Sequence, residues 1–134
     1  MSVLVLGTDV ASLSIKGRLS PAMETRIATA SLVAVCFATV GELVQWTEMY
    51  DWAPKRKAGV NAFLADVVKL PYSERTAHTW GVISAAAKRR GRSIADNDTW
   101  IAASCIARGL PPATRNVKHF ADFATHHGLA LITD

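Results

Sequence analysis

Four separated stretches of this chain carry side chains that could act together on a charged substrate. Gly7-Thr8-Asp9 follows a short apolar run, Thr39 to Glu42 follows another, Asp96 and Asp98 open a helical segment, and Thr114-Arg115-Asn116 follows Pro111-Pro112. Taken singly, each acid has a local explanation. Glu42 is expected in the first turn of an apolar-faced helix, where negative charge suits the helix N-terminus. Asp96 lies three residues after Ser93, the spacing of a capping pair. Taken together, Glu42, Asp96 and Asp98 at one crevice would repel one another unless a positive charge sat among them. A hard divalent cation held by one or two carboxylates plus water is the usual answer. Such an ion, magnesium or manganese, polarises a phosphodiester and acidifies a bound water. Amide groups in the helix turns beside Glu42 and Asp98 could add anion binding. No Ser or Cys has a neighbouring His placed as a base, so a covalent nucleophile is not indicated.

The elements that must position these residues are short. Apolar runs of strand length occur at Val3 to Leu6, Leu32 to Phe37, Val67 to Leu70 and Leu129 to Ile132. Helical segments lie between them: Pro21 to Ala30; one with Val40, Leu43, Val44 and Thr47 on a single face; one from Pro54 with Val60, Phe63, Leu64 and Val67; Ser73 to a stop at Gly91; and Ile94 to Arg108 before Gly109. Alternating strands and helices predict an α/β sandwich around a mostly parallel sheet. In such sheets the loops leaving the carboxyl ends of the strands form the binding crevice. The four polar stretches are therefore expected along one edge.

Composition narrows the class. A length of 134 residues suits one domain, half of the residues are hydrophobic and 19% are charged, which is the balance of a folded globular chain. No apolar run approaches the roughly 18 to 20 residues that cross a bilayer, so a cytoplasmic, membrane-free protein is expected. Cys36 and Cys105 sit in apolar stretches without zinc-site spacing and read as buried thiols. The net charge is +4, and seven of the fifteen basic residues fall in Lys55-Arg56-Lys57 and in Lys88-Arg89-Arg90 with Arg92. That distribution is compatible with a polyanionic partner and equally with solvated helix ends. Trp46, Trp52, Trp80 and Trp100 are expected in the core or at a subunit contact. None of the four histidines is expected to pair with an acid at i, i+4, and His126-His127 read as a surface turn. A flavodoxin-like or receiver-like domain would need a phosphate loop or a phosphoacceptor aspartate at a central strand end, and neither is evident.

Several segments resemble a known family. Val5-Leu6-Gly7-Thr8-Asp9-Val10 resembles the opening strand of PIN-domain proteins, which usually reads Asp-Thr-(Asp or Asn) at positions 7 to 9. Thr39-Val40-Gly41-Glu42-Leu43 is similar to their second acidic motif and Asn97-Asp98-Thr99-Trp100-Ile101-Ala102-Ala103 to their third. Thr114-Arg115-Asn116-Val117-Lys118-His119-Phe120, with Gly128-Leu129 downstream, resembles their closing segment. The four motifs, in order over nearly the whole chain, look most like the VapC toxins of bacterial toxin–antitoxin pairs.

The resemblance implies a single PIN domain over residues 1–134 and magnesium- or manganese-dependent cleavage of RNA, tRNA or rRNA. It implies Glu42 and Asp98 as metal ligands, Asp96 as an extra acid and Asn116 in the fourth polar position. Thr8, Asp9 and Thr114 would support them, and Arg89, Arg90, Arg92 and Arg115 would face RNA. It further implies a VapB-type antitoxin, a homodimer and a toxin–antitoxin hetero-oligomer. Two positions depart from the family: His119 replaces a frequent aspartate, and Gly7 replaces the first metal-binding aspartate, which implies an impaired site. Three accounts of Gly7 are open: an inactivating substitution introduced to make a toxic nuclease producible, a naturally decayed toxin that keeps its fold and partner, or partial replacement by Asp9. In an extended segment Asp9 would alternate away from position 7 unless the chain turns there. A non-catalytic PIN-fold module that binds antitoxin or RNA is the alternative function.

Overall fold

The computed structural model describes residues 2–50 and 53–133; Trp52 lies outside them. The chain runs β1 (Val3–Leu6), α1 (Thr8–Ile15), α2 (Pro21–Thr29), β2 (Leu32–Cys36), α3 (Phe37–Met49), α4 (Pro54–Asp66), β3 (Val68–Leu70), α5 (Glu74–Arg89), α6 (Asp96–Arg108), β4 (Pro112–Ala113) and α7 (Val117–His127). The strands form one parallel sheet in the order β3-β2-β1-β4, with Val3 opposite Leu32 and Leu6 opposite Ala113. The order reverses at β1, where open parallel sheets form their crevice.

Side-chain alternation along the strands separates the two cores. Leu4, Leu6 and Val35 pack with Val10 of α1, Met23 of α2, Leu43 of α3 and Val60 of α4. Val5, Ala34 and Cys36 point the other way, onto Ile83 of α5, Ile101 of α6, and Phe120 and Phe123 of α7. Helices thus cover both faces, giving the three-layer α/β arrangement implied by the family resemblance. Trp80 stacks on Trp100 at a centroid distance of 5.0 Å beside the second core. Cys36 and Cys105 are buried free thiols, and burial pushes both above the usual thiol range. Among the described residues no helix is long and apolar enough to cross a membrane.

Several expectations need correction. The chain turns directly after β1: Gly7 is the N-cap of α1, so Thr8 and Asp9 are helical and not extended. Helix α3 begins at Phe37, which places Glu42 in its second turn, away from the N-terminal amides, and leaves Val44 exposed while Thr39, Leu43 and Thr47 are buried. Ser93 does not cap α6, whose N-cap is Ala95 and has no side-chain bond. Leu129 to Ile132 forms only a bridge between Ile132 and Ala113; the fourth strand is the Pro112-Ala113 piece. His126 and His127 close α7 and are not a turn, and His126 does pair with Asp122 at i, i+4, at 3.7 Å.

Candidate functional site

Parallel register brings the residues that follow β1, β2 and β4 to the same edge of the sheet, and the start of α6 joins them there. Thr8, the first residue of α1, donates its hydroxyl proton to Glu42 Oε1 at 2.7 Å. That uses its one O–H, so the 3.0 Å contact between Thr8 Oγ1 and Thr39 Oγ1 is a bond donated by Thr39. Thr39 is fully buried, and this relay fixes the Glu42 carboxylate from below.

A second set of bonds ties the start of α1 to the loop after β4. Asp9 Oδ2 accepts the backbone N–H of Arg115 at 2.7 Å, and the Thr114 hydroxyl lies 3.3 Å from both Asp9 oxygens. Thr114 Oγ1 in turn accepts the backbone N–H of Asn116 at 3.0 Å. Because the chain turns at Gly7, the Asp9 carboxylate folds back over it. A Cβ added at Gly7 would lie 2.9 Å from Asp9 Oδ1 and 3.1 Å from the carbonyl oxygen of Ala113. The space that a side chain at position 7 would enter is thus occupied by the carboxylate of residue 9.

Asp98, in the first turn of α6, is half-buried, and its Oδ2 bonds His119 Nδ1 of α7 at 2.8 Å. Burial raises its affinity for a proton, His119 opposes that rise, and the charge of Asp9 adds to it. Asp9 therefore acts electrostatically on Asp98. Beside this pair lies a concavity of about 600 Å³ with Arg92, Lys118 and His126 on its wall.

The sequence-predicted residues divide accordingly. Thr8 with Glu42, Asp9 with Thr114, and Asp98 with His119 form three separate bonded groups. Asp96 is exposed at the first residue of α6 and makes no contribution to the crevice wall. Asn116 is exposed at the N-cap of α7, where its side chain makes no capping bond. Arg90 is not available to a partner as expected: its guanidinium forks onto Asp122, holding that carboxyl below its ordinary range. Arg89 and Arg115 are exposed, and Arg92 reaches the concavity. Thr39 and His119 were missed as site residues. Thr39 had a signal, being three residues before Glu42 on the same helix, whereas the pairing of His119 with Asp98 depends on how α7 packs on α6.

The donors suit a hard divalent cation, being carboxylate oxygens from α1, α3 and α6 at one edge. Among the described residues no three acid, imidazole or thiol groups surround one point. The arrangement fits an ion held by one or two carboxylates with water completing its shell, as magnesium is commonly bound.

No family model matches the chain. Among characterised proteins it is similar to ribonuclease VapC2 of Haemophilus influenzae strain Rd, 28% identical over 116 residues that cover 87% of this chain and 88% of that protein. It is also similar to the tRNA(fMet)-specific endonuclease VapC of Shigella flexneri, 25% identical over 90% of this chain and 91% of the relative. Among solved structures, VapBC-5 from Mycobacterium tuberculosis, a member of the VapBC family of toxin–antitoxin systems, superposes with a TM-score of 0.75 and 25% identity over the full length of both chains. Over nearly the whole of its sequence, and in the fold and edge geometry just described, this chain is similar to the VapC ribonucleases and to the VapBC toxin–antitoxin structures.

Proposed function

We propose that this protein is a toxin-type ribonuclease of a type II toxin–antitoxin system, hydrolysing RNA phosphodiesters with magnesium or manganese. A VapB-type antitoxin is its inhibitor, a second copy its dimer partner, and tRNA or rRNA its substrate. Glu42, fixed by Thr8 at the carboxyl edge of the sheet, and Asp98, bonded to His119 in the first turn of α6, carry the reading, and likeness to VapC ribonucleases over 87% of the chain supports it. A divalent cation bound there supplies polarisation of the phosphate and a water acidic enough to attack it. The residues of the chain supply the rest. The Thr39-Thr8 relay orients Glu42, His119 orients Asp98, and Arg92 and Lys118 give the crevice wall positive charge for the RNA backbone. Gly7 removes a carboxylate from the same edge, which weakens the hold on the cation and impairs cleavage.

The test is RNA cleavage with and without magnesium, comparing the chain as it stands with Asp98→Asn and with the double variant Gly7→Asp/Asp9→Asn. The double variant is used because a side chain at position 7 meets the Asp9 carboxylate. Magnesium-dependent cleavage that rises in the double variant and vanishes in Asp98→Asn is expected. Cleavage indifferent to both magnesium and Asp98 refutes the assignment. Gly7 also favours a second reading, a PIN-fold module that binds antitoxin or RNA without cutting it. Antitoxin or RNA binding by a chain that stays inert in the double variant selects that reading.

A further inference from the structure

We propose that Asp9 supplies the carboxylate that position 7 lacks, so that the crevice binds its divalent cation between Asp9 and Asp98. This rests on the metal-dependent reading above and names a ligand that it leaves open. The first observation is steric: Asp9 Oδ1 stands 2.9 Å from where the Cβ of residue 7 would be, inside the space of the missing side chain. The second is the bonding of the two oxygens. Oδ2 is held at 2.7 Å by the N–H of Arg115, whereas among the described residues Oδ1 is bonded only by the Thr114 hydroxyl, at 3.3 Å. A carboxylate oxygen accepts about two hydrogen bonds, so Oδ1 keeps a lone pair for another partner. The third is the turn at Gly7, the N-cap of α1, which brings residue 9 back over residue 7. The carboxylate is offset two residues along the chain, roughly half a helical turn, and still fills the space beside position 7.

Binding of Mn²⁺, followed by calorimetry and by loss of the free-ion paramagnetic resonance signal, tests this without any RNA. Asp9→Asn keeps an oxygen for the Arg115 N–H, so its metal-free melting transition should fall only by the difference between a charge-assisted and a neutral bond and remain a single cooperative step. Its Mn²⁺ affinity should fall by about tenfold or more, since loss of even an outer-shell partner commonly costs that much. Asp9→Asn/Gly7→Asp should recover the affinity, with its carboxylate returned to position 7. If Asp9→Asn binds Mn²⁺ like the parent while Asp98→Asn has lost it, the proposal is overturned and the metal-dependent reading stands. Loss in Asp9→Asn without recovery in the double variant also overturns it, because Asp9 would then act only by holding residues 114–115. If neither the parent nor the double variant takes up Mn²⁺, both readings fall.

Discussion

Gly7→Ala isolates the steric relation between positions 7 and 9 without involving any ion. The backbone at Gly7 has φ −65° and ψ 162°, which alanine adopts without strain. On backbone grounds alone the substitution would stabilise by about 0.4 to 1 kcal/mol, through the unfolded chain. The added methyl, however, meets Asp9 Oδ1 at 2.9 Å and the Ala113 carbonyl oxygen at 3.1 Å. That carbonyl is pinned by the N–H of Gly7 itself, at 2.8 Å, so the Asp9 side chain must yield. Forcing an extra carbon into a packed site costs roughly 1 to 3 kcal/mol. Moving Asp9 also weakens its bond from the Arg115 N–H, a charge-assisted bond worth about 1.5 to 3 kcal/mol in favourable cases and less here, where Asp9 is only partly buried.

The net expectation for Gly7→Ala is a loss of about 2 kcal/mol. In an Asp9→Ala background the obstructing carboxylate is gone, and the same change should cost about 1 kcal/mol or less. Urea unfolding of the parent, both single variants and the double variant, with equal denaturant slopes, measures a coupling of about 1 kcal/mol or more. Additivity within about 0.5 kcal/mol would refute the claim that Asp9 occupies the position-7 space.

Thr8→Val should cost about 1 to 3 kcal/mol in the same unfolding assay, because it removes the bond to Glu42 and strands the buried Thr39 hydroxyl. Thr39→Val leaves no buried donor behind and should cost less; the reverse order would contradict the relay direction. Arg90→Ala should cost about 1 kcal/mol at neutral pH, a modest figure because the Arg90 side chain is 26% exposed. Its pH dependence has a definite sign. Arg90 depresses the Asp122 carboxyl, so this stability is present above the unfolded aspartate value of about 3.9 and is lost as pH falls through the lower folded value. The difference between parent and Arg90→Ala, followed by thermal melting from pH 7 to 2, should therefore shrink towards acid. A difference that grows towards acid contradicts the assignment.

The parallel sheet, the α/β layering and most helix bounds were legible because apolar runs and caps mark them locally: Ser73 caps α5 and Gly109, at φ 66°, closes α6. Helix α1 was hidden. Its residues Thr8 to Ile15 mix β-branched and small side chains, and whether the chain turns at Gly7 is settled by the β1–β4 register, through Gly7 N–H to Ala113 O. Helix α7 was hidden for a different reason. Phe120 and Phe123 lie one turn apart and are buried, but they are its only two buried residues, and the polar Lys, His, Asp and Thr around them leave a short apolar stripe. The carboxylates of the site were legible by type and order. Their partners were not, because His119 to Asp98 and Arg115 to Asp9 span 21 and 106 residues and exist only through packing.

That difference explains why Arg90 and Arg92, two residues apart in one basic block, come to opposite roles. Arg90 is the C-cap of α5, with its guanidinium drawn onto Asp122 of the neighbouring α7, so its charge is neutralised within the fold. Arg92 lies past Gly91, whose φ of 74° redirects the chain, and it emerges on the wall of the concavity that holds Asp98 and Lys118. A basic run in sequence therefore counts towards an RNA surface only after the internal acids have taken their share. The same accounting applies to the acids of the crevice. Asp96, one turn-edge earlier than Asp98 on α6, faces solvent, while Asp98 is drawn in against His119. Residue type sets which groups can hold a cation or a phosphate, and the helix turn on which each one falls decides which of them meet.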